Sequence, residues 1–163
     1  MAEPHVVLNA LSPEEARAAL GRCCGSARWV TGMLARRPWA STEALHASAD
    51  EVWGALGPDD FREAFAHHPR IGGQVAGGDG WARQEQARVG EAALATQAAL
   101  REANDRYTDR FGYIFIVCAT GKSAEEMLGL LQARLPNDPA RELGIVAAEQ
   151  ARITHLRLDK LAT

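Results

Sequence analysis

The stretch "YIFIVCA", residues 113–119, decides the fold class. An apolar run of this length suits a buried strand, and periodicity alone does not separate that from other buried segments. The flanks decide. Every other patterned part of the chain reads as helix, so a single strand here has no sheet to join, and its main-chain groups would lack ladder partners. The expectation is therefore an all-α, single-domain helical bundle over residues 1–163. It has about seven to eight helices and a short extended buried segment at 113–119.

Working outward, Ser123 and Glu126 have capping-box spacing and open a helix to about Leu135. "PNDP", 136–139, breaks the chain, and Pro139 starts a last helix to about Leu161. Upstream, "GGQVAGGDG", 72–80, has five glycines in nine residues and reads as loop. Asp79 can cap a long helix from Trp81 to about Arg110, whose buried stripe is expected to be largely alanine. Near the start, Ser12 is an N-cap, Pro13 suits the first helical position and Glu15 completes a capping box. That helix runs to about Cys24 and stops at Gly25. Further helical stretches cover Ser26 to Arg36 and Ser41 or Thr42 to Leu56, the latter with Leu45, Ala49, Val52 and Leu56 on one face. Pro58, Asp59 and Asp60 open a short helix towards Ala66.

Composition narrows the function. The chain has 163 residues, 47% hydrophobic and 24% charged, with net charge −3. No basic patch dominates, so nucleic acid is not the expected partner. No apolar run approaches the ~20 residues of a membrane span. The first residues lack a signal pattern, and the terminal "DKLAT" is not a peroxisomal address. Three cysteines, two of them adjacent, are a poor disulfide framework, which suggests a reduced, cytoplasmic protein, and the richness in Ala, Arg and Gly suggests a bacterial one.

Candidate chemistry is sparse. The five histidines show no metal-ligand spacing, so no metal is expected. "ATGKS", 119–123, is half a phosphate loop, but the position of the motif's first glycine is Ile116, and Ser123 is better read as an N-cap. Cys23 and Cys24, near a helix end, are either a lowered-pKa thiolate pair or core, with core the better reading.

"HHP", 67–69, is more informative. A residue before proline is pushed out of the α region. His68 should end the short helix and stand beside the glycine loop, while His67 still belongs to the helix. His68 is either an acid/base at a cleft or a capping histidine. Glu85, early in the long helix, can reach it across the loop, and a carboxylate there would set its tautomer and raise its pKa. In the last helix, Leu143, Val146, Gln150, Ile153, Arg157 and Leu161 repeat at helical spacing. Arg157 thus lies on a core-facing stripe, where it needs either an anionic ligand or an internal carboxylate.

With these residues assembled, the chain resembles the family of 2-oxo-4-hydroxy-4-carboxy-5-ureidoimidazoline (OHCU) decarboxylases. The resemblance runs through "LNALSPEEA" at 8, "CCGSARW" at 23, "RRPW" at 36, "HPRIG" at 68, "RQEQ" at 83, "FGYIFIVCATGKS" at 111 and "EQARITHLRL" at 149. It implies an all-helical, cofactor-free, homodimeric enzyme of urate degradation that converts OHCU to (S)-allantoin and CO2. It implies His68 as the catalytic histidine, with Glu85 and Arg157 as its catalytic partners. It implies substrate contacts at Pro69, Ala82, Gln86 and the backbone of Phe115, Ile116, Val117, Cys118 and Ala119. Ala82 stands where the family usually has serine, and "FGYI" lacks a common proline. The alternative reading is a non-catalytic helical module that binds a small anionic purine-derived ligand.

Overall fold

A computed structural model describes residues 2–69 and 94–163. Eight helices are found among them: α1 (Pro4–Ala10), α2 (Pro13–Cys23), α3 (Ala27–Leu34), α4 (Thr42–Gly54), α5 (Pro58–Phe65), α6 (Leu94–Phe111), α7 (Ala124–Arg134) and α8 (Pro139–Lys160). No strand occurs among the described residues, and the fold is all-α. No described helix is long and apolar enough to cross a membrane.

The chain divides into two compact units, residues up to His67 with 150–163, and residues 68–149. In the first unit local signals start the helices. Ser12 accepts from Glu15 N at 3.1 Å while the Glu15 carboxylate accepts from Ser12 N at 3.3 Å, the expected capping box on α2. Ser26 and Ser41 cap α3 and α4 through their hydroxyls. Gly57 N–H is held at 3.2 Å by Asp60, in the first turn of α5. The apolar faces of these helices then close a core around Trp29, Leu20, Met33, Leu45 and Phe65, each fully buried. The Trp29 indole N–H donates to the Ala49 carbonyl at 3.2 Å, so its polar edge is satisfied inside. Leu56 lies beyond the end of α4 and is half-buried rather than on the core face.

Helix α1 is not marked by the sequence pattern. Seven residues are too few for an isolated helix to persist in water, so its stability comes from the contacts it makes. The Arg37 guanidinium donates to the Leu8 and Leu11 carbonyls at 2.8 and 3.0 Å, capping the helix from outside. Asn9 exchanges two hydrogen bonds with the Trp39 main chain at 2.8 and 3.0 Å.

In the second unit α6 packs on α7. The described buried face of α6 is Leu100, Ala103, Asn104 and Tyr107. The expected alanine stripe is thus replaced there by larger and more polar side chains. The stretch expected to begin this helix, and the glycine loop before it, lie outside the described residues. At α7 only half of the expected capping box forms. The Ser123 hydroxyl accepts from Glu126 N at 3.1 Å, but it also donates to the Glu126 carboxylate at 3.2 Å, which keeps that carboxylate from the Ser123 main chain. Asp138 accepts from Ala140 N at 3.1 Å at the start of α8.

Between α6 and α7 the chain runs without helix or strand from Gly112 to Ser123. Gly112 and Gly121 carry φ of 83° and 78°, where a side chain would be strained. The buried part is narrower than 113–119. Phe115, Ile116, Val117 and Cys118 are 1–8% exposed, while Tyr113, Ile114 and Ala119 are half-buried.

Candidate functional site

His68 lies past the end of α5, in a bend, and is half-buried; Pro69 follows, also half-buried. The helix stops earlier than expected. α5 ends at Phe65, and His67 N bonds back to Ala64 O at 3.1 Å in the turn that follows. His67 is therefore not on the helix, and its ring is placed by packing. It lies over Gly25, where an added methyl would come within 2.4 Å of the His67 Cγ. Glycine in "CCGS" thus makes room for this imidazole. His67, Gly25, Cys24, Ser26, Arg17 and Glu63 line a cavity of about 320 Å³ within the first unit. Glu63 also accepts from Ala27 N at 3.0 Å, at the start of α3.

Arg157 sits on the buried stripe of α8, as its spacing predicts, and is 8% exposed. Its Nη1 donates to the Arg22 carbonyl at 3.4 Å. Cys23 and Cys24 are beside it. Burial pushes both thiols up to about 12, outweighing the lowering effect of the Arg157 charge. Neither is a thiolate at neutral pH; both are buried core residues, and all three cysteines are free. Glu85, Gln86 and Ala82 lie outside the described residues.

The segment Phe115–Ala119 is the best-defined part of the expected site. Side chains anchor it from both ends. Asn104 Oδ1 accepts from Phe115 N at 3.2 Å, Arg134 Nη1 donates to the Ile116 carbonyl at 2.9 Å, and Lys122 Nζ donates to the Cys118 carbonyl at 2.9 Å. The lysine of "ATGKS" is thereby committed to the main chain, which agrees with rejecting a phosphate loop. Among the described residues nothing bonds to the N–H groups of Ile116, Val117 and Cys118 or to the Val117 carbonyl. The Asn104 Nδ2 is also buried with no partner. Such groups are costly to bury unpaired, and three adjacent N–H groups and a side-chain amide offer donors to a ligand rich in carbonyl or carboxylate oxygens.

A buried network escaped the sequence reading. Glu142 is fully buried on α8 and receives Arg134 Nε and Nη2 at 2.8 and 2.6 Å, Asn137 Nδ2 at 3.1 Å, and the Tyr107 hydroxyl. One signal was available: Glu142 precedes Val146 by four residues and continues the same buried stripe that carries Arg157.

Known proteins agree with this picture. The family model described as OHCU decarboxylase matches residues 9–159. The "2-oxo-4-hydroxy-4-carboxy-5-ureidoimidazoline decarboxylase" of Amia calva is 30% identical over 161 residues, covering 94% of this chain and 91% of its own length. The "Uric acid degradation bifunctional protein TTL" of Arabidopsis thaliana is 37% identical over 145 residues, covering 85% of this chain. The chain spans only 45% of the length of that plant protein and 32% of a bifunctional relative from Bacillus subtilis. A crystal structure of OHCU decarboxylase in the presence of (S)-allantoin superposes with a TM-score of 0.77 at 34% identity, covering 86% of this chain and 94% of that one. A family model that spans nearly the whole sequence, joined to a shared fold at this identity, places the chain in the OHCU decarboxylase family.

Proposed function

We propose that this chain decarboxylates OHCU to (S)-allantoin and CO2, without a cofactor, as a step of urate degradation. The observation that supports the proposal is the buried main chain of residues 116–118, whose N–H groups have no partner among the described residues. OHCU is a small ring bearing carbonyls and a carboxylate, and it supplies acceptors for these donors. Membership of the family supplies the reaction.

The chemistry suits a site with few reactive groups. When the C–C bond to the carboxylate breaks, its electron pair passes into the ring and its imine, so the substrate is its own electron sink. His68 acts as the acid/base that moves the proton between substrate and site. Glu85 orients the His68 ring and holds its tautomer. Arg157 orients the anionic substrate, and raises the rate only by favouring charge that develops away from the departing carboxylate. Pro69, Gln86, Ala82 and the Phe115–Ala119 main chain contact the ring. At position 82 the methyl of alanine removes a hydroxyl contact that a serine would make. Residues 1–163 act as one domain, and the working protein is a homodimer of the bacterial cytoplasm.

The test is a coupled assay. Urate oxidase and hydroxyisourate hydrolase generate OHCU, and this protein is added while the OHCU absorbance is followed. Faster decay with a single allantoin enantiomer is expected, because protonation from one fixed side is stereospecific. Unchanged decay, with the compound still bound, would replace the enzyme by the non-catalytic binding module.

A further inference from the structure

We infer that Arg134, backed by Glu142 and Tyr107, is a positioning residue that aims the Val117 N–H at the substrate. The inference rests on the function proposed above and adds residues to it.

Peptide geometry carries the argument. In a planar trans peptide the N–H points opposite to the carbonyl of the same unit. The Ile116 carbonyl and the Val117 N–H share one such unit. Arg134 Nη1 holds that carbonyl at 2.9 Å, so it also sets the direction of the Val117 N–H, which has no partner among the described residues. The next unit but one is handled in the same way, with Lys122 holding the Cys118 carbonyl at 2.9 Å. Asn104 holds the Phe115 N–H at 3.2 Å and fixes the start of the segment.

Arg134 is itself fixed on three sides. Its guanidinium lies over the Phe115 ring, 4.4 Å from the centroid, and its other two nitrogens clasp one oxygen of Glu142. Glu142 is 0% exposed and its remaining capacity is filled by Asn137 and Tyr107. Burial, and then the Glu142 hydrogen bond, raise the Tyr107 hydroxyl well above the usual tyrosine range, so it remains a donor. A buried ion pair of this kind is weak evidence of stability, since an apolar replacement is often as stable. What an apolar group cannot do is hold a carbonyl in one orientation. A planar fork binds a carboxylate on one edge and holds a carbonyl on the other at once, which the single nitrogen of a lysine at this position would not do.

The experiment compares wild type, Arg134→Lys and Tyr107→Phe by turnover of OHCU, thermal melting and amide hydrogen exchange at Val117. Arg134→Lys keeps the charge beside Glu142 but loses the second arm. It should raise KM about tenfold, the worth of one well-placed hydrogen bond, and leave kcat within about threefold. Exchange at Val117 should quicken while the pH profile keeps its shape. Tyr107→Phe, which preserves the fork, should raise KM about two- to threefold. If Arg134→Lys does not fold, Tyr107→Phe decides alone. A folded variant with wild-type KM and wild-type exchange at Val117 overturns the inference. Should the wild type itself fail to turn over OHCU while Arg134→Lys still quickens Val117 exchange, the proposed activity falls and the role of Arg134 in setting this main chain stands.

Discussion

Arg134 and Arg157 are each 8% exposed on a helix, one in each compact unit, yet they are held differently. Arg134 faces a full carboxylate charge on Glu142, reinforced by a carbonyl and an aromatic face. Arg157 donates to the Arg22 carbonyl at 3.4 Å and stands beside two thiols that burial keeps neutral. Burial and residue type are the same in both, so neither assigns a role. The partners do: Arg134 belongs to a closed internal network, and Arg157 is the arginine that the function proposed above gives to the substrate. The histidines on either side of the unit boundary repeat the contrast. His67 packs over Gly25 in the first unit, and His68 opens the second.

The largest expected effect lies at that boundary. His68→Asn should lower turnover by roughly 10²–10⁴, the usual worth of a positioned acid/base, with melting unchanged. The histidine limb of the pH–rate profile should vanish with it. A single allantoin enantiomer formed at near wild-type rate would show that His68 is not the acid/base.

Glu142→Gln is next, and it acts on stability. It leaves the Arg134 charge buried without a counter-charge, which should cost about 3 kcal/mol of folding free energy. Denaturant unfolding reads this directly. Adding Arg134→Met should recover much of the loss, and a strictly additive double variant would mean the two residues do not act as a pair.

Arg157→Met tests the other arginine with the opposite expectation. Turnover should fall about 10²-fold while the unfolding midpoint holds, because the change roughly preserves length and removes the charge. A sharp loss of stability with turnover intact would make Arg157 a structural residue and erase the contrast.

The cysteines give a smaller, pH-dependent effect. Cys23 and Cys24 are raised from 9.0 to about 12 in the folded chain. In the unfolded chain they ionise near the ordinary thiol value, so between those limits the unfolded state binds fewer protons. Stability is therefore whole below the unfolded pKa and declines as pH rises towards the folded one. Replacing both cysteines with alanine should flatten that alkaline decline; an unchanged slope would assign it to other groups. His67→Asn should have the smallest effect, a change in turnover below about threefold for a residue outside the proton path. If it proves the inactive variant, the acid/base belongs at the cavity of about 320 Å³ instead of at His68.

Legibility varied with the range of the interaction. The capping box at Ser12 and Glu15 was readable because both partners lie within one turn. The stripe on α8 was readable because helical spacing repeats along one segment, and Arg157 is buried on it as expected. The burial of residues 115–118 followed from their apolar character and from the absence of any sheet partner in the pattern. In contrast, α1 went unseen because its support comes from Arg37 and Trp39, some thirty residues away. The sequence puts His67 on a helix because nothing local ends α5 before the proline, whereas packing over Gly25 accompanies an earlier stop.

What the sequence determined by itself was the all-helical class, most helix starts, and the order of motifs that marks the family, since each rests on neighbours in the chain. What only the tertiary structure decided was which polar groups find partners inside. Glu142 lies eight residues from Arg134, thirty-five from Tyr107 and twenty-six from Ile116, and no local pattern connects them. Their meeting orients the Ile116–Val117 peptide unit, because a buried guanidinium settles only where carboxylate and carbonyl converge on it in three dimensions.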